Sequence, residues 1–271
     1  MAISARRPRL GQHFLKSSSI LERIAREVDA CPGAGDLIVE IGAGAGALTR
    51  RLLRLGGRVA AIEIDPRLAA ALRAEFAVEP RLELIEADIL ELDLGRLIRE
   101  RTSGRAVVAG NLPYYITSPI LRLLFDNADR ISGAVFLMQR EVAARVAARP
   151  GSRDFGYLSV LCQAHGRPQR LCGVPPGAFR PAPKVSSAVV RFSIEPRLSQ
   201  WGVTDRKAFL DFVQQCFHQK RKTLLNNLQD RYGRERLRSL PEARLRAEQL
   251  APERLAALWL HLSQPATPSG A

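Results

Sequence analysis

Leu37-Ile38-Val39-Glu40-Ile41-Gly42-Ala43-Gly44-Ala45-Gly46 joins a run of aliphatic and β-branched residues to three alternating glycines. Such a run, bounded by glycine, reads as a buried strand. Glycine has no Cβ, so the turn that follows lets the main chain approach a ligand at the carboxyl edge of a sheet before a helix begins. Twenty-one residues after Gly42 stands Glu63, closing a second run, Val59-Ala60-Ala61-Ile62-Glu63. A carboxylate there can accept both hydroxyls of a ribose. The glycine turn and this acid together predict a nucleoside-type site on a parallel sheet.

Working outward, further short apolar runs follow at Leu82-Glu83-Leu84-Ile85, Val107-Val108 and Ala134-Val135-Phe136-Leu137. Helical periodicity fills the gaps, from Pro66 to Phe76 and from Ser118-Pro119 to Phe125, with proline in the first turn of each. Repeated strand-then-helix spacing predicts an α/β domain with helices on both faces of its sheet. Ahead of it, Ile20, Leu21, Ile24 and Val28 share one helical face, which predicts a helix over 17–29. Ser187 to Phe192 reads as a strand completing the sheet. Beyond Pro196 the pattern becomes helical, near 204–218, 220–230, 243–250 and 252–262. The expected organisation is an α/β domain over 1–196 and a small all-helical domain over 197–271.

The 271 residues include 41 Lys and Arg against 27 Asp and Glu, a formal charge of +14, and the excess lies on both sides of residue 200. That balance is unusual for an enzyme of small metabolites and points to a polyanionic partner, a nucleic acid. No stretch approaches the 18 apolar residues of a membrane span, and no secretion signal precedes Gly11-Gln12, so a cytoplasmic protein without membrane association is expected. Cys31, Cys162, Cys172 and Cys216 are scattered and form no metal-ligand spacing. No metal site is expected.

Two cofactors suit a ribose-binding acid in this position, a nicotinamide dinucleotide and S-adenosylmethionine. The glycine spacing is Gly-x-Gly-x-Gly rather than the Gly-x-Gly-x-x-Gly that seats a pyrophosphate. S-adenosylmethionine, which has no phosphate, is the better match. Asp88, after the third strand, is placed to accept from the amino group of its adenine, or else to cap a helix. Gly110-Asn111-Leu112-Pro113-Tyr114 follows the fourth strand and suits a flipped nucleobase. The Asn111 side-chain oxygen and the carbonyl of Leu112 or Pro113 can accept the two hydrogens of an exocyclic amine, while Tyr114 offers a stacking face.

These segments resemble the ribosomal RNA adenine N6,N6-dimethyltransferases, and in particular their bacterial small-subunit (16S) group. The resemblance runs through Gly11-Gln12-His13-Phe14-Leu15, Val39 to Gly44, Ile62-Glu63-Ile64-Asp65, Ala87-Asp88 and Gly110 to Tyr114. It continues in Gln139-Arg140-Glu141-Val142, Phe179 to Ser187 and Gln219-Lys220-Arg221-Lys222-Thr223-Leu224. It implies a Rossmann-like S-adenosylmethionine-dependent methyltransferase domain with a small helical C-terminal domain, and a role in small-subunit biogenesis. The implied substrate is a pair of adjacent adenosines in a hairpin loop near the 3′ end of 16S rRNA within the small (30S) subunit. A monomer suits so large a partner.

Carried over by motif, the cofactor contacts fall on His13, Leu15, Gly42, Glu63, Asp88 and Asn111. His13 departs from many members, which have Asn there; either can donate to the cofactor's polar end. The catalytic group is Asn111, Leu112, Pro113 and Tyr114, with Phe179 expected on the other face of the base. RNA contacts are expected from Arg6, Arg7, Arg9, Arg140 and Lys184, and from His218 to Lys222 through Lys220, Arg221 and Lys222. The sister group that methylates an adenosine of 23S rRNA in macrolide resistance shares the glycine loop and the Asn-Leu-Pro-Tyr core. Phe217 to Leu228 favours the small-subunit group. An assembly factor whose catalysis is secondary is a further alternative.

Overall fold

The computed structural model describes residues 12–264. Among the described residues nine strands occur in chain order: β1 (Phe14–Leu15), β2 (Leu37–Ile41), β3 (Arg58–Glu63), β4 (Leu82–Glu86) and β5 (Ala106–Asn111), then β6 (Ile131–Gln139), β7 (Gly166–Val174), β8 (Phe179–Arg180) and β9 (Ser187–Ile194). Seven of them form one sheet in the order β4-β3-β2-β5-β6-β9-β7, and β1 pairs with β8 in a separate two-stranded sheet. The pairs β2–β3, β3–β4, β2–β5 and β5–β6 are parallel. All of β2 is buried, as are 59–63 of β3 and 106–110 of β5. Strands covered on both faces favour near-continuous apolar runs without alternation, which these sequences show apart from the buried Glu40 of β2 and Glu63 at the end of β3.

The helix expected over 17–29 spans Ser18–Asp29 and buries Leu21, Ile24 and Val28. Asp65 caps Pro66–Glu75 by accepting from Arg67 N at 2.9 Å. The helix expected from Ser118 begins one residue earlier, at Thr117, and ends at Asp126.

The chain divides into two compact units, residues up to 140 with 171–191, and 141–170 with the residues from 192 onward. The single division expected at 196 therefore differs from the grouping of 141–170. Within the second unit, the helices Tyr157–His165, Arg206–Cys216, Leu224–Tyr232 and Pro252–Ser263 enclose Phe209, Phe212, Leu228 and Leu255, all fully buried. Phe209 meets Trp259 edge to face at a centroid distance of 5.8 Å, the arrangement that ring quadrupoles favour.

Two features depart from expectation. β7 was not anticipated, because Arg167, Pro168 and Arg170 interrupt any apolar pattern; as the terminal strand of the sheet it has an open side that tolerates proline and charge. The helix expected over 243–250 is instead two 3-10 turns, Pro241–Arg244 and Ala247–Gln249. Leu245 and Arg246 between them are extended, and Leu240 and Ala251 are held extended ahead of Pro241 and Pro252.

Candidate active site

The parallel register brings four strand ends to one edge: Ile41 lies beside Ile62 and Gly110, and Glu63 beside Glu86. A cavity opens there, lined by Gly42, Gly44, Glu63, Asp88, Asn111 and Tyr114, which the sequence had marked. Ligands of open α/β sheets bind at this carboxyl edge.

Glu63 is 3% exposed, and both of its oxygens are held by backbone: Gly44 N donates to Oε2 at 2.8 Å and Asp65 N to Oε1 at 2.9 Å. A carboxylate oxygen accepts more than one hydrogen bond, so the fixed group still has capacity for ligand hydroxyls. Gly44 makes its contact with φ +58°, a conformation that side chains rarely adopt. Asp88 accepts from Leu90 N at 2.9 Å through Oδ1, so it shapes its own turn while lining the cavity.

Asn111 is reached through Gly110, where a Cβ would stand 2.4 Å from the Ile41 carbonyl; the close pairing of β2 and β5 admits glycine alone. Asn111 Nδ2 donates to the His13 carbonyl at 2.8 Å. A carbonyl only accepts, so this bond fixes the amide orientation and leaves Oδ1 as the acceptor. The Pro113 carbonyl already accepts from Ile116 N and from Thr117 Oγ1, each at 3.2 Å. The Leu112 side chain is buried. Tyr114 shares a 2.7 Å hydrogen bond between its hydroxyl and Ser187 Oγ, and its ring stacks near His13 with centroids 5.9 Å apart.

His13 Nδ1 donates to the Pro181 carbonyl at 2.8 Å, so in the neutral ring Nε2 is an acceptor. With Nδ1 committed to Pro181, Nε2 is the ring nitrogen left to meet a ligand. Its backbone carbonyl orients Asn111 and its ring braces Tyr114.

Leu15 and Phe179 stand elsewhere. β1 and β8 pair Leu15 with Phe179 and Phe14 with Arg180. Side chains alternate across a strand, so one pair must turn inward. Leu15 and Phe179 do, at 6% and 3% exposure in the core, and Phe14 lines the cavity instead. Phe179 is therefore not a lining residue, and any contact of Leu15 with a ligand falls to its backbone. Phe14, Ile64, Leu90 and Tyr115 are lining residues that sequence reasoning did not assign. Each is within two residues of one that it did assign.

Of the basic residues marked for RNA, Arg6, Arg7 and Arg9 lie outside the described residues. Arg140 and Lys184 are exposed, as are His218, Lys220, Arg221 and Lys222 of the second unit. The Lys220 ammonium contacts the Arg153 carbonyl and lies 3.8 Å from Glu248. Cys31, Cys162 and Cys216 are buried free thiols and Cys172 is half-buried. Among the described residues no helix is long and apolar enough to cross a membrane.

Glu40 lies beneath the glycine turn, 1% exposed, accepting from Thr49 Oγ1 at 2.6 Å. Burial pushes its carboxyl up to about 8, against the Thr49 bond that lowers it and with the Glu63 carboxylate raising it further. The folded chain thus retains a proton that the unfolded chain releases near the ordinary value of 4.5. Stability contributed here is present at low pH and falls as pH rises between those values. Glu40→Gln, which keeps the Thr49 acceptor, is expected to flatten that decline and to raise the melting temperature at pH 8 more than at pH 5. Thermal unfolding of both proteins at the two pH values checks this.

A family model described as ribosomal RNA adenine dimethylase matches residues 3–266. Ribosomal RNA small subunit methyltransferase A of Acidobacterium capsulatum is 45% identical over 266 residues, which covers 95% of this chain and 92% of that protein. The protein of the same description from Chlorobium luteolum is 44% identical over 261 residues, covering 95% and 89%. A solved dimethyladenosine transferase from Plasmodium falciparum shares the fold, with TM-score 0.77 at 24% identity over 92% of this chain and 97% of that one. The structure of the 23S rRNA methyltransferase ErmE gives TM-score 0.68 at 26% identity over 93% and 100%. With its strand-end cavity, its Asn-Leu-Pro-Tyr turn and a family match along nearly its whole length, the chain belongs to the ribosomal RNA adenine dimethylase family.

Proposed function

We propose that the protein is an S-adenosylmethionine-dependent rRNA adenine-N6,N6-dimethyltransferase that acts on small-subunit rRNA, at two adjacent adenosines of the 3′-terminal hairpin loop within the 30S subunit. The observation that carries this reading is the chemistry of the cavity. Among the described residues its lining holds two carboxylates, Glu63 and Asp88, and no lysine or arginine. A dinucleotide pyrophosphate would meet like charge there, whereas a sulfonium cofactor brings a complementary positive one. The donor set therefore fits S-adenosylmethionine. When bound, that cofactor supplies a methyl group activated by positively charged sulfur.

The chain's own residues bind and orient. Glu63 offers acceptors for ribose hydroxyls, and the free oxygen of Asp88 an acceptor for an amino group. The N6 lone pair of adenine is delocalised into its ring, so the amine becomes nucleophilic when both hydrogens are accepted and the nitrogen is drawn toward tetrahedral geometry. Asn111 Oδ1 accepts one hydrogen. The Leu112 carbonyl takes the other, since that of Pro113 is occupied. Tyr114 stacks on the base, a contact worth about 1–3 kcal/mol. No catalytic base is assigned, because the methylated amine is acidic enough to release its proton to water. Alignment of the reacting atoms supplies most of the rate, up to roughly 7–11 kcal/mol.

The basic residues of both units, including those in 197–271, are taken to hold RNA phosphates, and a cytoplasmic monomer follows from the substrate. The small-subunit assignment is supported over the 23S alternative by relatives at 44–45% identity against 26% for ErmE. The test is transfer of labelled methyl to small subunits that lack the modification, with large subunits as control. Label on two adjacent adenosines near the 3′ end is expected. Label on large-subunit RNA alone would assign the protein to the resistance group.

A further inference from the structure

We infer that Tyr115 is a docking platform for the nucleobase next to the target adenine, stacking on it at the cavity mouth while the target occupies the cavity. The inference rests on the proposed RNA substrate and deepens it. Five large apolar side chains stand exposed among the described residues: Val78, Leu90, Tyr115, Val185 and Leu245. Two of these, Leu90 and Tyr115, line the cavity, and Tyr115 is the more exposed at 64%. It is the aromatic ring that water reaches most freely beside the amine acceptors.

Tyr115 cannot be a second jaw on the target base. It follows Tyr114 on a single 3-10 turn, Tyr114–Ile116, and with three residues per turn successive side chains diverge by roughly 120°. Tyr114 is held by Ser187 Oγ and packed against His13. Tyr115 is thereby directed away from it, toward the mouth. The turn beneath is fixed by Ile116 N and Thr117 Oγ1 donating to the Pro113 carbonyl, with Thr117 buried at its base. The ring is thus presented on an ordered backbone. Swinging one adenine out of a stack uncovers a face of its neighbour, and an aromatic ring at the mouth covers that face again. Any base presents a π-face, so the contact sets affinity and placement without reading sequence.

The test uses the intact protein with Tyr115→Ala, Tyr115→Leu and Tyr115→Trp. Binding of a short single-stranded oligoadenylate is measured, together with KM and kcat on unmodified small subunits. Tyr115→Ala and Tyr115→Leu are expected to weaken oligoadenylate binding about tenfold and to raise KM similarly, with kcat and cofactor affinity near parental. Tyr115→Trp is expected to restore both. Parental binding and KM in Tyr115→Ala overturn the inference, and so does full rescue by leucine, which signals generic apolar contact. Oligoadenylate binding requires no turnover: a parent that methylates no small subunits yet loses binding in Tyr115→Ala refutes the functional reading alone.

Discussion

Asn111→Ala is expected to lower methyl transfer by about a hundred- to a thousandfold while RNA affinity and the folded state stay near parental. The size of the effect follows from what the side chain does. In the proposed mechanism it supplies one of two acceptors that draw the amine toward a reactive geometry, and its orientation is fixed before substrate arrives, because Nδ2 is committed to the His13 carbonyl. Removal leaves no other side-chain acceptor in that turn but the Tyr114 hydroxyl, which is paired with Ser187 Oγ. Asn111 is half-buried rather than a core residue, so the folding cost is small. Single-turnover transfer, cofactor affinity and RNA affinity measured together separate chemistry from binding. Asn111→Asp extends the test: it keeps an acceptor but places a carboxylate against the His13 carbonyl and adds a third acid to the cavity. Its turnover is expected to remain low. Parental turnover in Asn111→Ala would remove the residue from the mechanism.

Phe179→Ala is expected to destabilise the first unit by about 3–5 kcal/mol, the cost of emptying a buried aromatic site. The ring is 3% exposed in the core cluster that contains Leu15, Val174 and Val189. Its loss also loosens the β1–β8 pair that positions Phe14 beside the cavity and the His13 carbonyl against Asn111. Both a lower melting temperature and, well below it, a moderately higher KM for RNA are expected. Thermal unfolding decides between this packing role and the base clamp expected from the sequence. An unchanged melting temperature with a large rise in KM would return the ring to the base.

Much of the first unit was legible because its signals are local. The largely apolar runs of β2 and β3 follow from burial on both faces, and the glycine turn and Glu63 match the backbone conformation and charge that the proposed ribose site needs. The strand of Arg167, Pro168 and Arg170 was not legible, since an edge position excuses residues that would exclude it from the sheet interior. Nor were the two 3-10 turns over 241–249, where apolar spacing imitates a helix that Pro241 and Pro252 confine.

In the site, Asn111, Tyr114, Glu63 and Asp88 were legible as residue types at strand ends, while Phe14 and Tyr115 beside them were not distinguished from their neighbours. By itself the sequence determined the sheet, the cavity edge and the chemical inventory, since periodicity and glycine placement act over a few residues. Only the tertiary structure decided which face of β1 and β8 turns inward, and so why Phe14 rather than Phe179 meets the cavity. The tertiary structure likewise set the direction of the Asn111 amide and the partner of the His13 ring. Those outcomes rest on contacts between residues 98 and 168 positions apart, which no local pattern encodes because they exist only once the chain has packed.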